Sequence, residues 1–373
     1  MAVGWLGARF RSPRALASAL RWRLCDRRLR LEARGRLATP DDVHFAYRLL
    51  LDREPDPGGF ADWSARLGAM TPADLASEFM RSAEYRRRYI ATLGHEMDFV
   101  KPPVVPPSWQ PLVSQMVTQS QIDSTTYWRW CDEIAELPKY HRKQWEYVYL
   151  LQALDDAGML RPGARGLGFG VGHEPVPSVL AKRGCEVLIT DLEQRAAERS
   201  GWRASRQHAG SVDELHRPEI CDREVFRERV RFRNQDMNAI DDDLRAAGFD
   251  FVWSLCALEH LGSLRDGLRF VEQSLACVKP GGIAVHTTEF NVSSNADTIS
   301  HGATVLYRQR DIEGLAQELA RQGHTLQLNF HPGDGPLDRY YDVPPYRSHV
   351  QLKIELQRFV ATSLGLVIRK GTA

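Results

Sequence analysis

The chain has 373 residues, 43% hydrophobic and 26% charged, with a formal net charge of +1. That makes a globular chain long enough for two or three domains, and it argues against overall electrostatic steering toward nucleic acid. No apolar run approaches the roughly eighteen residues of a membrane span. The six cysteines form no C-x-x-C pair, which argues against a zinc or disulfide framework and for a reducing, cytoplasmic setting.

Residues 1–38 carry ten arginines against Asp26 and Glu32, interleaved with Trp5, Leu6, Phe10, Leu16, Leu20, Trp22 and Leu24. This basic amphipathic extension reads either as a solvated, partly helical arm or as a segment that docks peripherally on an anionic membrane surface. It lacks the apolar core and cleavage site of a secretory signal. Residues 39–98 read as a small helical domain. Pro40–Leu51 has helical apolar spacing, residues 52–59 form a turn, and Phe60, Trp63 and Leu67 make the next stripe. Thr71-Pro72-Ala73-Asp74 reads as a helix cap. The acid-rich turn 52–56 reads as a simple turn rather than a calcium loop, because it has too few oxygens at ligand spacing. Residues 99–112, with five prolines, read as a stiff linker, and 113–373 as the second domain.

That domain opens with helices through Tyr127–Trp130 and His141–Leu151, whose His141, Arg142, Lys143 and Trp145 either reach the ligand or form a charged face over an aromatic stripe. The run Ala164–Glu174 then places Gly168, Gly170 and Gly172 in a sharp strand-to-helix turn. About twenty residues on, 185–191 reads as a buried strand ending in Asp191, where a carboxylate can accept both hydroxyls of a ribose. The pair points to a nucleoside-containing cofactor on an open α/β sheet. The G-x-G-x-G spacing differs from the G-x-G-x-x-G that seats a pyrophosphate.

Further on come Arg231–Asn238, then Phe249-Asp-Phe-Val-Trp-Ser-Leu-Cys-Ala-Leu-Glu-His260, then Val278-Lys-Pro-Gly-Gly-Ile-Ala-Val-His286. This succession resembles the class I S-adenosylmethionine-dependent methyltransferases over residues 140–370. The resemblance implies an α/β fold: a Rossmann-like, mostly parallel sheet with an antiparallel last strand, here preceded by a small all-α domain. It implies S-adenosylmethionine as cofactor, held by Gly168, Gly170, Gly172, Asp191, Asp236, Met237 and Leu255. The acid that the family usually carries two residues before the first glycine is replaced by Gly166, so either Glu174 supplies the substitute carboxylate or the backbone holds the cofactor's amino group. Residues 51–85 are similar to a bacterial domain of unknown function of the phycobilisome-linker-like, surface-protein type. The stretches 166–175, 256–263 and 286–291 are similar to a methyltransferase group associated with polysaccharide gene neighbourhoods. That implies a cell-envelope glycan, or its nucleotide- or lipid-linked precursor, as acceptor.

Methyl transfer to a hydroxyl needs the acceptor held in line and a base for its proton. His260 is the first choice for that base, the competing reading being that Glu259-His260 caps a helix and packs under the cofactor, and Glu259 and Glu289 are further catalytic candidates. His286 reads as a core histidine. The run His286–Asn295, with Thr287, Thr288 and Asn291, reads as a polar lip suited to a sugar, extended by His301, Tyr307 and Arg308. No metal site is expected: His301, His331, Asp334 and His349 lack ligand spacing. Two other readings compete, a nicotinamide oxidoreductase and a catalytically inactive methyltransferase-fold scaffold in glycan assembly.

Overall fold

The structure, a computed structural model, describes residues 36–85, 105–192, 212–343, 346 and 350–372. The basic arm, apart from residues 36–38, and the first part of the expected linker lie outside these. Two compact units divide at His95/Glu96.

The first unit contains α1 (Pro40–Leu51), α2 (Pro57–Arg66) and α3 (Pro72–Arg81). Each begins with proline behind a polar cap: Thr39 with Asp42, Asp56 accepting from the Gly59 N–H, and Thr71 with Asp74. Val43, Tyr47, Leu51, Leu75 and Phe79 form its core, with Trp63 stacked on Phe79 at 4.4 Å. The acidic turn is committed to the fold. Glu54 accepts from Arg48, Asp56 caps α2, and Arg53 donates to Glu84 at 2.6 and 2.8 Å.

The second unit is built on β1 (Ser114–Met116), β2 (Arg165–Phe169), β3 (Glu186–Asp191), β4 (Val230–Asn234), β5 (Phe249–Leu255), β6 (Val278–Asn291), β7 (Leu328–Asn329), β8 (Lys353–Leu356) and β9 (Phe359–Arg369). In space the strands run β7-β1-β9-β6-β5-β2-β3-β4, with β8 paired to β9. The pairs from β4 through β6 are parallel, whereas β9 runs antiparallel to β6. The expected α/β architecture, mostly parallel with an antiparallel last strand, is therefore present. The chain leaves β2 toward β3 on one side and later returns to β5 on the other. This reversal opens a crevice at the carboxyl ends of β2 and β5, where open α/β sheets bind ligands.

Toward the end of the chain, Thr325–Leu326 pairs with β9 and β7 with β1. One detail differs from expectation. Residues 105–112 pack on the second unit instead of acting as a free linker: Trp109 is buried and its indole donates to Gln121 O and Ser124 Oγ. Helices pack around the sheet, among them α4 (Arg142–Asp156), most of whose residues are buried. Among the described residues, no helix is long and apolar enough to cross a membrane.

Candidate active site

Alternating glycines in β2 shape the floor of the crevice. Gly166 and Gly168 lie in register with Phe251 and Trp253 on β5. A Cβ on either would come within 2.4 Å of the facing ring. Gly166 thus makes room for Phe251, which explains why the family's usual acid is missing there. Gly168 seats Trp253, whose indole N–H points at Glu174 Oε2, 3.4 Å away. Gly168, expected within the turn, lies in β2 with the Trp253 ring against it. Gly170 has φ of 60°, and its missing Cβ would sit 2.9 Å from Ala257 and 3.2 Å from Met237 Sδ. The turn is therefore wedged between the segments that follow β5 and β4.

Hydrogen bonds lace the neighbouring strand ends together. Val171 N–H donates to Thr190 O, and Gln235 N–H donates to Asp191 O. Gly172 N–H donates to Gly170 O, and Glu174 N–H to Gly172 O, which tightens the turn. Asp191, at the end of β3, is 8% exposed and accepts from the Leu192 N–H. Glu174 is buried, and that burial pushes its carboxyl up to about 8 against the opposing pull of Trp253 and Lys143. Met237 and Leu255 are buried at the ends of β4 and β5. Asp236 is exposed and spends its Oδ1 on the Asn238 N–H. Its neighbour Gln235 is the buried polar residue, with an Oε1 that takes no hydrogen bond. The Arg-Asn-Gln-Asp run thus carries an amide beside the expected acid that sequence reasoning did not single out.

A second cluster lies beside the first, where α4 meets the ends of β5 and β6. Its hub, Glu146, is fully buried and was not anticipated. It accepts from Cys256 Sγ (3.0 Å), Thr287 Oγ1 (3.2 Å), Lys143 Nζ (3.4 Å) and Ser363 Oγ on β9. The legible signal was a glutamate four residues after Arg142, inside the otherwise aromatic and aliphatic run Trp145–Leu151. Arg142 donates to Glu289 Oε1 at 2.5 Å, and both side chains are buried. Trp145 is a core residue stacked on Tyr149, and His141 caps α4 by accepting from the Lys143 N–H.

Glu259 is wholly buried, and its Oε2 accepts from Thr288. Burial raises its carboxyl above the ordinary range, with His260 and Lys143 opposing. His260 is partly exposed. Its Nδ1 lies 2.7 Å from Ala303 O, and a carbonyl can only accept, so Nδ1 carries the proton. That tautomer leaves Nε2 as the basic nitrogen, 3.9 Å from Glu259 Oε1. His286 is the core histidine expected, held between Ser254 and Ser274 and pushed down to about 3 by burial.

The anticipated polar lip is mostly internal. Thr287, Thr288 and Asn291 are fully buried and satisfied within the fold. Tyr307 is also fully buried, and Arg308 caps the helix Gln309–Arg321 through Asp311. His301 is exposed and His331 stands 3.8 Å from Asp334, while His349 lies outside the described residues. Val350–Gln351 pairs with Tyr140–His141, which ties the segment before β8 to the start of α4.

Solved structures similar to the chain include magnesium protoporphyrin IX methyltransferase from Synechocystis PCC 6803 with bound SAH. It has 13% identity and a TM-score of 0.37, over 67% of this chain and 96% of that one. Another is a protein described as a sarcosine dimethylglycine methyltransferase from Galdieria sulphuraria, with 13% identity and a TM-score of 0.36 over 61% and 85%. A third is the DhpI-SAH complex, with 16% identity and a TM-score of 0.33 over 59% and 83%. No curated protein sequence matches the chain. The domain of unknown function DUF4214 matches residues 32–89. The family described as "Methyltransferase domain" matches residues 120–334, more than half of the sequence and the whole of the glycine turn, the strand ends and both clusters up to β6, and the chain belongs to that family.

Proposed function

We propose that the protein transfers a methyl group from S-adenosylmethionine to a hydroxyl of a polar acceptor, a sugar of a cell-envelope polysaccharide or its nucleotide- or lipid-linked precursor. The observation that carries this reading is the pairing of Asp191 and Glu174 at the switch point, one carboxyl at the end of β3 and one buried after β2. Asp191 suits the ribose hydroxyls. Glu174, steered by the Trp253 indole, suits the amino group that Gly166 cannot serve. The orphan Oε1 of Gln235 suits an amino-bearing base edge. The cofactor supplies an activated methyl on a positively charged sulfur, so the protein's part is positioning and proton removal.

His260 performs the proton removal. Its Nδ1–H bond to Ala303 fixes the ring and presents a basic Nε2 beside Glu259, whose buried carboxyl offsets the positive charge the imidazole gains. Arg142 and Lys143, anchored by Glu289 and Glu146, offer N–H donors to acceptor oxygens.

Calorimetric titration with S-adenosylmethionine and S-adenosylhomocysteine tests the reading. Micromolar binding is expected for the native protein and at least a tenfold loss for Asp191→Ala, since charge-assisted bonds of this kind contribute roughly 1.5–3 kcal/mol. Absence of heat at millimolar ligand, with a protein that still melts cooperatively, would refute it. Label transfer from the methyl donor to defined sugars then tests the acceptor.

A further inference from the structure

The ends of β5 and β6 hold three donors whose bonding capacity the fold leaves partly unused. Cys256 Sγ and one carboxylate oxygen each from Glu259 and Glu289 lie within 4.8 Å of one another, and all three residues are buried. Each is fixed by a separate constraint. Cys256 has φ of 45°, a left-handed conformation that residues with a Cβ rarely adopt, and its N–H is pinned to Thr287 O and Oγ1, both at 3.0 Å. Thr288 occupies Glu259 Oε2, while Glu259 Oε1 is buried with no hydrogen bond. Arg142 occupies Glu289 Oε1, while Glu289 Oε2 is likewise buried and unbonded. Glu259 is 0% exposed and Glu289 5%. Buried carboxylates are paired or coordinate metals, and here one oxygen of each takes no hydrogen bond, Glu259 Oε1 having only His260 Nε2 at 3.9 Å, while both carboxyls lie beside a thiol.

We propose that Cys256, Glu259 and Glu289 form a three-ligand site for a divalent cation of the zinc class. The sulfur decides the class: thiolate selects zinc-like ions over magnesium or calcium, which prefer all-oxygen shells. It also separates a metal from an ammonium group, which the two carboxylates alone would hold. Three protein ligands leave a fourth position open, the arrangement of catalytic rather than structural zinc. The thiol proton has a built acceptor, because Cys256 Sγ–H already donates to Glu146 Oε1 at 3.0 Å. Thiolate and two carboxylates bring three negative charges. Two meet the cation, and the third is met by Arg142 on Glu289. The site itself is independent of methyl transfer. Only the occupant of the fourth position, an acceptor hydroxyl, rests on the function proposed above.

The test is cobalt titration of the full-length, chelator-stripped protein with no methyl donor present. One equivalent should bind, with a thiolate-to-cobalt charge-transfer band and tetrahedral d–d absorption, both abolished by one equivalent of zinc. Cys256→Ser should remove the charge-transfer band, and Glu259→Gln and Glu289→Gln should each weaken cobalt binding about tenfold or more. Should a variant fail to fold, X-ray absorption of the cobalt-loaded native chain decides. A sulfur neighbour supports the site, and an all-oxygen shell overturns it. No cobalt binding, or a band that survives Cys256→Ser, overturns it as well. So does a protein that ignores cobalt yet gains melting temperature with a simple primary amine, which would give the carboxylates to an amine acceptor. Methyl-donor calorimetry on the same metal-free protein reads the other proposal, so failure of one is distinguishable from failure of the other.

Discussion

Glu174→Gln should make the unliganded protein more stable and worse at holding its ligand. Below pH 4.5 the acid is protonated in both folded and unfolded chains. Between 4.5 and about 8 only the unfolded chain ionises, so rising pH progressively favours unfolding. Above 8 both forms are ionised, and the folded state carries the full cost of a buried carboxylate. Holding the carboxyl at about 8 instead of 4.5 corresponds to roughly 4–5 kcal/mol. Glutamine keeps an oxygen for the Trp253 indole and carries no charge to bury. Allowing for relaxation and partial hydration, the variant should gain about 2–4 kcal/mol at pH 9, a rise of roughly 5–10 °C in the melting of the methyltransferase unit. At pH 4 the two proteins should melt together. Scanning calorimetry from pH 4 to 9 reads both limits. The same variant should lose about tenfold or more in affinity for S-adenosylmethionine, and the proton released when native Glu174 ionises on binding at pH 7 should vanish. A variant that melts at or below the native temperature at pH 9, with an unchanged pH slope, would refute the reasoning.

Three further outcomes follow from the packing. Gly166→Asp, which restores the family's acid, should destabilise by about 1–3 kcal/mol because its Cβ meets the Phe251 ring at 2.4 Å, and Phe251→Ala in the same chain should recover part of the loss; urea denaturation checks both. Glu146→Ala strips the partner from Cys256, Thr287 and Ser363, so a loss of about 3 kcal/mol is expected in the same assay. His286, neutral in the fold down to about pH 3, ionises only in the unfolded chain between pH 6.5 and 3. Stability should therefore fall by roughly 4–5 kcal/mol as pH drops across that window, and His286→Gln should flatten the slope.

The frame of the site was legible because its signals are local. Glycines at 166, 168 and 170, a buried run ending in Asp191, and the strand 249–255 can each be placed from the residues around them. What escaped depends on register. Whether Gly168 faces a ligand or Trp253 is settled by the pairing of β2 with β5, two strands about eighty residues apart. In the same way, Thr287, Thr288 and Asn291 look like a polar surface in isolation. In the sheet Thr287 and Thr288 point to the Glu146 and Glu259 sides of β6 and become the interior partners of those acids, while Asn291 is spent on the Asp297 carbonyl and Thr298. Glu146 was overlooked because an acid in a helix that also carries Arg142, Lys143, Asp155 and Asp156 is ordinarily solvated, and only tertiary packing reveals that most of α4 is buried. Tyr307 was misplaced for a related reason: an aromatic next to an arginine looks like a contact surface until Leu258 and Gly267 are seen against its hydroxyl.

The position of β9 has a consequence for synthesis. Ser114–Met116 finds its antiparallel partner at Leu364–Gly365, and Glu146 receives the Ser363 hydroxyl from the same strand. A ribosome adding about 5–20 residues per second needs on the order of 10–50 s to make the intervening segment. During that time the half-built sheet exposes the β6 edge on which β9 will lie. The nascent catalytic unit is thus an open-edged intermediate until its closing strand emerges. It should depend on holdase chaperones in a way that the amino-terminal helices, closed on their own by residue 85, do not.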